Sequence, residues 1–166
     1  MIVSGPAIRE GKHVGHTRLA EQFQPAGVDL SVASVWSFEG AGSIDLDNRK
    51  REVPKAKEMP FGSDGALHLG PGAYKIVFNE LVSIPPDCAA LARSRSSLLR
   101  MGASVQTALW DPGYEGRSEA LLLVSNPRGL RLHEHARVAQ LVFIRLEKPS
   151  GEKYQGRYQH ENMGKE

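Results

Sequence analysis

Glycine and proline interrupt this chain at short intervals beyond residue 24, so that each uninterrupted run is only long enough for a short strand. Residues 74–78 illustrate such a run, because tyrosine, isoleucine and phenylalanine alternate there with other side chains, as in a strand with two unlike faces. Many short strands separated by turn residues predict an all-β sandwich or jelly roll. The strands are predicted at residues 44–46, 74–78, 88–92, 103–110, 120–124 and 138–146.

Two short helices accompany the predicted strands. The first lies within residues 1–23, where Ser4 is a candidate cap and Gly11 a stop signal. The second follows either Ser94 or Ser96 as its cap and ends at Gly102. No other segment shows a helical pattern strong enough to change the assignment to the all-β class.

Length and composition narrow the function classes. A chain of 166 residues is expected to form one domain with a real core. A net charge of +2 gives no reason to expect binding to nucleic acid or to a membrane surface. No apolar run is long enough to span a bilayer, and the single cysteine, Cys88, is expected to be buried. These features favour a cytoplasmic protein.

Residues 48–57 carry five basic side chains and are predicted to form an exposed loop. Residues 138–146 are apolar almost throughout and are predicted to be covered on both faces.

The stretch 95–116 contains two clusters of reactive side chains. The first is Arg95-Ser96-Ser97, with Arg100 one turn further on. Two hydroxyls and two guanidiniums at a helix start suit phosphate oxygens, because arginine binds them bidentately and the helix start offers free N–H groups. The alternative interpretation is a solvent-facing basic turn, which a short pattern of this kind does not exclude.

The second cluster is a tight turn that begins at Asp111. Pro112 and Gly113 are turn residues, and the strand-like runs 103–110 and 120–124 flank them. Asp111 therefore ends a strand and is expected to point into the space that the turn encloses. A carboxylate at this position either forms the turn or deprotonates a water molecule, and the nearby phosphate-binding groups favour the second role.

These two clusters resemble motifs of the dUTPase and dCTP deaminase superfamily. Three further stretches agree with that resemblance, and all five follow one another in the family's order between about residues 20 and 160. The five stretches are QPAGVDL at 24–30, LGPG at 69–72 with NE at 79–80 and IPPD at 84–87, RSSLLRMG at 95–102, WDPGYEG at 110–116 and ARVAQLVF at 136–143.

The resemblance implies a distorted β-barrel or jelly roll spanning residues 1–166, normally a homotrimer with its sites between subunits. It also implies that Asp111 activates the water that attacks the α-phosphorus of dUTP, and that Mg²⁺ accompanies the nucleotide, with Asp29 in its outer coordination shell. Tyr114 would pack under the deoxyribose, and backbone amides of 103–109 would read the uracil edge. The residues expected to bind substrate are Arg95, Ser96, Ser97, Arg100, Tyr114, Gln140, Arg157, Tyr158 and Gln159.

The superfamily contains a hydrolase and a deaminase, and one position separates them. Its deaminases carry a glutamate on the strand after the hairpin. Counting forward from Asp111 places Leu121 there, whereas counting back from Ser125 and Asn126 places Leu123 there. Because neither leucine can transfer a proton, we expect dUTP hydrolysis. A dCTP deaminase, a bifunctional enzyme and a non-catalytic nucleotide-binding β-sandwich remain as alternatives.

The C-terminal residues 150–166 differ from the glycine- and phenylalanine-containing lid of trimeric dUTPases. They look more like the tail of the deaminases, which also folds over the nucleotide. This resemblance is the basis for Arg157, Tyr158 and Gln159 as candidate lid residues. His133 and His135 lie on the same side of a predicted strand, but no third metal ligand accompanies them, so a surface turn is the preferred interpretation.

Overall fold

Residues 1–164 are described in the computed structural model of the protein, and β-strands are its main secondary structure. Two α-helices are present in this range, α1 (Gly5–Glu10) and α2 (Ser96–Arg100). The strands are β1 (Val14–Gly15), β2 (Phe23–Gln24), β3 (Gly27–Glu39), β4 (Lys55–Met59), β5 (Ala66–Leu69), β6 (Gly72–Phe78), β7 (Leu81–Ser83), β8 (Cys88–Ser94), β9 (Ala103–Gln106), β10 (Glu115–Gly116), β11 (Glu119–Val124), β12 (Leu130–His133) and β13 (Arg137–Arg145).

The main sheet has the strand order β8-β13-β3-β6-β11-β9, with β2 and β4 paired to β3. Its two ends approach each other, because the Ser94 hydroxyl on β8 bonds both the amide and the carbonyl of Val105 on β9, at 2.8 and 3.1 Å. Ala90 and Trp110 also form an antiparallel bridge. The sheet is therefore a nearly closed, distorted barrel, as predicted, and two small sheets, β1-β7-β10 and β12-β5, complete it.

The longest strand, β3, joins the two halves of the barrel. It pairs with β13 through its first residues and with β6 and β4 through the rest. Its ladder shifts register near Ala33, between Val32 and Ser34, which bends a strand of this length around the core. Leu30, Phe78, Leu122, Leu141 and Phe143 meet inside the barrel with no exposed surface.

A buried carboxylate fastens the N-terminal segment to β3. Glu80 is fully buried, and its two oxygens accept hydrogen bonds from the Gln22 amide at 2.7 Å, the Ser31 hydroxyl at 2.6 Å and the Ser31 amide at 2.8 Å. Burial raises the pKa of Glu80, although these donors oppose the rise. Gln22 also donates to the backbone carbonyl of Asp29, so this network fixes the strand that carries Asp29.

Several local predictions need correction. Helix α1 begins after Ser4 as expected, but Arg95, not Ser94 or Ser96, precedes the first turn of α2, because the Ser94 hydroxyl is used by Val105. Residues 44–46 form no strand, and the predicted loop 48–57 ends early because β4 begins at Lys55.

Strand β13 and Cys88 were both predicted to be buried. Strand β13 is not covered on both sides within one chain, since Gln140, Val142 and Ile144 on its outer face are only half-buried. Cys88 is 2% exposed, as predicted. Among residues 1–164, no helix combines the length and the apolar character needed to cross a membrane.

Candidate active site

The basic cluster lies where β8 ends and α2 begins. Ser96, Ser97 and Arg100 are exposed, so their hydroxyls and guanidinium face solvent. Arg95 is half-buried, and its backbone amide donates to Val138 at 3.0 Å, which ties the start of the helix to β13. The first turn of α2 therefore presents polar groups from a fixed backbone, an arrangement suited to anionic oxygens.

Asp29 determines where Arg95 points. Its side chain is 2% exposed, and one carboxylate oxygen contacts Arg95 Nε at 3.1 Å and Arg137 Nη1 at 3.3 Å. Burial raises the pKa of the Asp29 carboxyl, and the two guanidiniums oppose that rise. Both arginines keep about a third of their side-chain surface exposed, at 31% and 29%. The pair can therefore still reach a ligand while the carboxylate holds it.

The surroundings of Asp29 bear on the outer-shell metal role that the resemblance implied. Its carboxylate is committed to two guanidiniums and has almost no exposed surface for a hydrated ion. No group of three or more histidine, cysteine, aspartate or glutamate side chains in residues 1–164 is arranged to hold a metal ion. The Asp29 carboxylate therefore contacts two guanidiniums, and its role toward a metal ion stays a prediction.

Gln140 lies on the same face of the sheet as this basic cluster. In the β13 ladder it stands opposite Asp29 on one side and opposite Arg93 on the other. Directly paired residues in a sheet point to the same face, so Gln140, Asp29 and Arg93 form one cross-strand row. Arg93 is exposed and was missed by the sequence argument, because it falls inside a strand, before the recognisable motif.

The turn at Asp111 forms as predicted, but β9 ends at Gln106 and does not extend to Trp110 as the predicted strand 103–110 would. The Tyr114 amide donates to the Asp111 carbonyl at 3.1 Å, with Pro112 at the second turn position and Gly113 at the third with φ +83°. These are the properties of a type II turn. The Asp111 residue is exposed at the mouth of the hairpin.

The turn is packed against the C-terminal tail. A Cβ placed on Gly113 would lie 2.8 Å from Lys153 Cβ.

Gly113→Ala is therefore expected to lower the free energy of unfolding by about 1–2 kcal/mol for the left-handed backbone, plus the cost of displacing the tail. Urea unfolding measures the change. Gly65→Ala is a matched control, because Gly65 has φ +68° but open space around its Cβ. Equal losses in the two variants would show that the tail contact contributes nothing.

Tyr114 is more enclosed than a residue that simply lines an open pocket. It is 5% exposed, and its ring packs edge-to-face against Tyr154 with a centroid distance of 5.7 Å. Its hydroxyl lies 2.9 Å from the Ser118 hydroxyl and donates to Glu161 at 2.8 Å. Burial raises the pKa of the Tyr114 phenol, so the group is a neutral hydrogen-bonding group at physiological pH.

The tail folds over the hairpin of its own chain. Gln159 bonds the hairpin backbone twice, accepting from the Glu115 amide at 3.1 Å and donating to the Gly113 carbonyl at 3.0 Å. Tyr158 borders a cavity beside Asp111, whereas Arg157 is exposed to solvent. Sequence reasoning missed Tyr154 and Glu161, which make the aromatic and polar contacts of the tail.

The cavity between hairpin and tail has a volume of about 100 Å³ and is lined by Ala108, Leu109, Asp111, Tyr114, Tyr158 and Glu161, among others. Cavities that hold small-molecule ligands are usually about 300–1,000 Å³. A nucleotide would therefore need the tail to move, or a second chain to extend the site. A larger groove of about 990 Å³ lies beside Trp36 and Lys75. Glu119 lines both cavities. None of the residues predicted to bind substrate lines the larger groove.

The basic cluster and the Asp111 turn are not adjacent within one chain. Trp110, next to the turn, pairs with Ala90 on β8. Arg95 follows the end of β8 and lies five residues beyond Ala90 along the chain. At the usual rise of a strand this places Arg95 roughly 16 Å from the turn. The basic cluster and the turn therefore lie at separate places on the surface of one chain.

The position of the deaminase glutamate is apolar under either counting. Leu121 and Leu123 both point to the outer face of β11, because the alternating residues Ala120, Leu122 and Val124 are buried in the core. Leu121 pairs with Lys75 and Leu123 with Ala73 on the neighbouring strand. Whether the deaminase glutamate corresponds to Leu121 or to Leu123, the side chain at its position on the outer face of β11 is therefore apolar.

Comparison with known proteins gives a consistent result. A family model described as dCTP deaminase-like matches residues 2–146. A protein of Methanosarcina mazei named probable deoxyuridine 5'-triphosphate nucleotidohydrolase is 50% identical over 141 residues, which are 85% of this chain and 82% of that protein. A protein of the same name from Archaeoglobus fulgidus is 42% identical over 167 residues, covering 98% of each chain.

One solved structure supports the fold. The 2'-deoxycytidine 5'-triphosphate deaminase of Agrobacterium tumefaciens superposes with a TM-score of 0.66 at 22% identity, over 86% of this chain and 47% of that one. The present chain thus corresponds to about half the length of that deaminase. The family match over most of the chain and the similarity to full-length archaeal relatives lead to one conclusion: the chain belongs to the dCTP deaminase-like family.

Proposed function

We propose that the protein is a dUTP diphosphatase, which hydrolyses dUTP to dUMP and pyrophosphate. Archaeal relatives that share 42–50% of their residues with it carry the name dUTP nucleotidohydrolase. The observation that carries the choice within the family is the outer face of β11, where Leu121 and Leu123 stand in place of an acid. Asp111 nevertheless remains at the mouth of the hairpin, so the base needed for hydrolysis is available.

In the proposed reaction Asp111 orients a water molecule and accepts its proton. The resulting hydroxide attacks the α-phosphorus, the bond to the bridging oxygen breaks, and pyrophosphate leaves with the electron pair. A base of this kind contributes about 10²–10⁴-fold to the rate. Positive charge from Arg95 and Arg100 stabilises the phosphate oxygens as charge shifts toward the leaving group.

The remaining predicted residues have binding roles in this proposal. Ser96, Ser97 and Gln140 donate hydrogen bonds to phosphate oxygens, and Arg93 extends the same basic face. The backbone of 107–109 at the open end of the hairpin reads the uracil edge, with Tyr114 below the deoxyribose. Cytosine exchanges a donor for an acceptor at that edge, which would leave buried groups unpaired at roughly 1–3 kcal/mol each. The tail residues Arg157, Tyr158 and Gln159 close over the bound nucleotide.

Mg²⁺ enters this proposal as part of the substrate. Among residues 1–164 no group of acidic, histidine or cysteine side chains is arranged to hold it, and magnesium commonly binds through substrate phosphates and water. When bound, the ion neutralises charge on the triphosphate. The buried thiol of Cys88 is compatible with the cytoplasm as the location that we propose.

Incubation with dUTP and with dCTP in the presence of Mg²⁺ tests the proposal. Release of dUMP and pyrophosphate from dUTP alone is the expected result. Deamination of dCTP would show that the face at Leu121 and Leu123 does not exclude that chemistry, and a dCTP deaminase or bifunctional enzyme would replace our proposal. Binding of either nucleotide without turnover would identify a non-catalytic nucleotide-binding protein.

We further propose a homotrimer in which the basic cluster of one subunit faces the Asp111 turn of its neighbour. The roughly 16 Å separation of the two clusters within a chain supports this arrangement. Co-expression of Asp111→Asn and Arg95→Ala subunits tests it, because each variant alone is expected to be nearly inactive. Random mixing in a ring should restore about a quarter of wild-type activity, since one site in four receives both intact halves.

The control for this experiment is co-expression of Asp111→Asn with a second Asp111→Asn subunit that carries a different tag. That mixture has no intact turn and should stay inactive. Absence of restored activity in the first mixture, in oligomers shown to contain both variants, would place both halves of the site within one subunit.

A further inference from the structure

A buried chain of hydrogen bonds connects the two residues that flank the Asp111 turn to the C-terminal tail. The Trp110 indole Nε1 donates to the Ser118 hydroxyl at 2.5 Å, and the Ser118 and Tyr114 hydroxyls are 2.9 Å apart. The Tyr114 hydroxyl then donates to Glu161 Oε1 at 2.8 Å. Ser118 is only 4% exposed, so water cannot easily replace its hydroxyl in this chain.

Counting donors gives the chain a direction. The indole has one N–H and no acceptor, and each hydroxyl has one proton. Because the Tyr114 proton goes to Glu161, the Ser118 proton goes to the Tyr114 oxygen, and Ser118 accepts from Trp110. Every donor in the chain is used once, and the carboxyl oxygen of Glu161 is the final acceptor. Removal of any one member leaves a buried polar group without its partner.

The position of this chain relative to Asp111 gives it a role beyond packing. Trp110 immediately precedes Asp111, and Tyr114 closes the turn by donating its amide to the Asp111 carbonyl. A single hydroxyl, that of Ser118, therefore holds the side chains on both sides of the turn. The tail is held close as well, since a Cβ on Gly116 would lie 3.2 Å from both the amide and the carbonyl oxygen of Glu161.

We propose that Ser118 and Glu161 are positioning residues that fix the Asp111 carboxylate, so that docking of the tail and alignment of the base are one event. This inference rests on the proposed hydrolysis of dUTP by Asp111. Neither residue touches the reacting atoms. Ser118 acts through Trp110 and Tyr114, and Glu161 acts through Tyr114.

The surroundings of Glu161 make tail docking dependent on pH. Burial raises the pKa of Glu161 to about 7, the nearby Glu119 carboxylate adds to the rise, and Tyr114 and Lys75 oppose it. The charged residue Arg117 also lies alongside, with its amide bonded to the Glu161 carbonyl. An undocked tail has the ordinary glutamate value of 4.5. Docking is therefore fully favoured below that value and weakens as pH rises through about 7, by about tenfold between pH 6 and pH 8.

Ser118→Ala tests the hairpin half of the proposal. We expect kcat for dUTP to fall about tenfold with less than a twofold change in KM, because one hydrogen bond that holds the base is lost. Ser125→Ala, an exposed serine just beyond the same strand, should leave both constants unchanged. The chain has two tryptophans, so proton NMR should show one shifted indole N–H signal in Ser118→Ala, while that of Trp36, bonded to Ser34, stays in place.

Glu161 variants test the tail half. Glu161→Ala should increase trypsin cleavage at the exposed Lys153 and Arg157 and lower kcat, whereas Glu161→Gln keeps an oxygen acceptor and should retain most of both properties. The ratio of wild-type to Glu161→Gln cleavage should rise about tenfold from pH 6 to pH 8, because only the wild type titrates. Glu152→Ala, an exposed tail residue, is the matched control.

The outcomes separate this inference from the proposed function. If wild-type protein fails to hydrolyse dUTP, the function is wrong. If wild-type hydrolyses dUTP and a folded Ser118→Ala protein keeps its kcat, the positioning role of Ser118 is wrong. A Glu161→Ala protein with unchanged kcat and unchanged tail cleavage would likewise overturn the role of Glu161, and a cleavage ratio that does not vary with pH would overturn the pH dependence of docking.

Discussion

Asp111→Asn is expected to lower kcat for dUTP by about 10²–10⁴-fold while dUTP still binds. Asparagine keeps the size and the hydrogen-bonding capacity of the side chain, but it cannot accept a proton from water. The turn is held by backbone hydrogen bonds and by the side chains of Trp110 and Tyr114, none of which the substitution removes. Turnover and binding should therefore separate, and steady-state kinetics together with calorimetric titration of dUTP measure the two properties.

Asp47→Asn is the matched control for this substitution, because Asp47 is an exposed aspartate paired only with the neighbouring Arg49. It should hydrolyse dUTP at the wild-type rate. If Asp111→Asn retained near wild-type turnover, another group would have to act as the base, and the proposed role of the hairpin would be wrong. Loss of dUTP binding together with turnover would mean that Asp111 chiefly binds substrate.

Asp29→Ala is expected to damage both stability and substrate binding. The carboxylate is 2% exposed and holds Arg95 and Arg137, so its removal leaves two cations side by side without a counter-charge. Loss of one partner of a fully buried pair costs about 3–5 kcal/mol, and the partial exposure of these arginines reduces this to about 2–3 kcal/mol. KM for dUTP should rise about 10–100-fold, because Arg95 is no longer directed at the phosphates.

Asp64→Ala provides the comparison, since Asp64 also pairs with an arginine, Arg131, at 2.8 Å, but both side chains are about 60% exposed, at 59% and 62%. Because this pair is exposed to solvent, its loss should leave both the free energy of unfolding and KM for dUTP nearly unchanged. Urea unfolding and dUTP kinetics on both variants decide the question. Equal behaviour of the two variants would show that burial of Asp29 has no special role. An Asp29→Ala protein with normal KM but altered Mg²⁺ dependence would favour the outer-shell metal role over the positioning of Arg95.

The fold and the turn were predictable for identifiable physical reasons. Short strands between glycine and proline residues indicated the barrel, and Pro112-Gly113 indicated the turn, because both signals are local in sequence. Strand β3 was not among the predicted strands, since it is held by pairing with partners distant in sequence and its buried residues lie mainly in its first half. Ile44 and Leu46 are apolar but lie exposed in a connection, where no neighbouring strand pairs with them among the described residues.

Side-chain partnerships were harder to predict than side-chain identities. The sequence singled out Asp29, for which the family resemblance implied a metal role, whereas folding places two arginines against it. The sequence pointed to Tyr114 and to the tail separately. Their connection depends on the contact between Tyr114 and Glu161, which are 47 positions apart, and no local pattern reveals it.

The distance between the basic cluster and the Asp111 turn has a consequence for inheritance. If each catalytic centre takes one half from each of two neighbours, a subunit with a damaged turn disables one centre and a subunit with a damaged basic cluster disables another. Consider a cell that expresses one faulty and one sound gene copy. If the faulty chain carries one defect, half of the centres stay intact. If it carries both defects, more than half of the activity is lost. Two different faulty alleles would partly rescue each other, which is the genetic signature of a centre shared between chains.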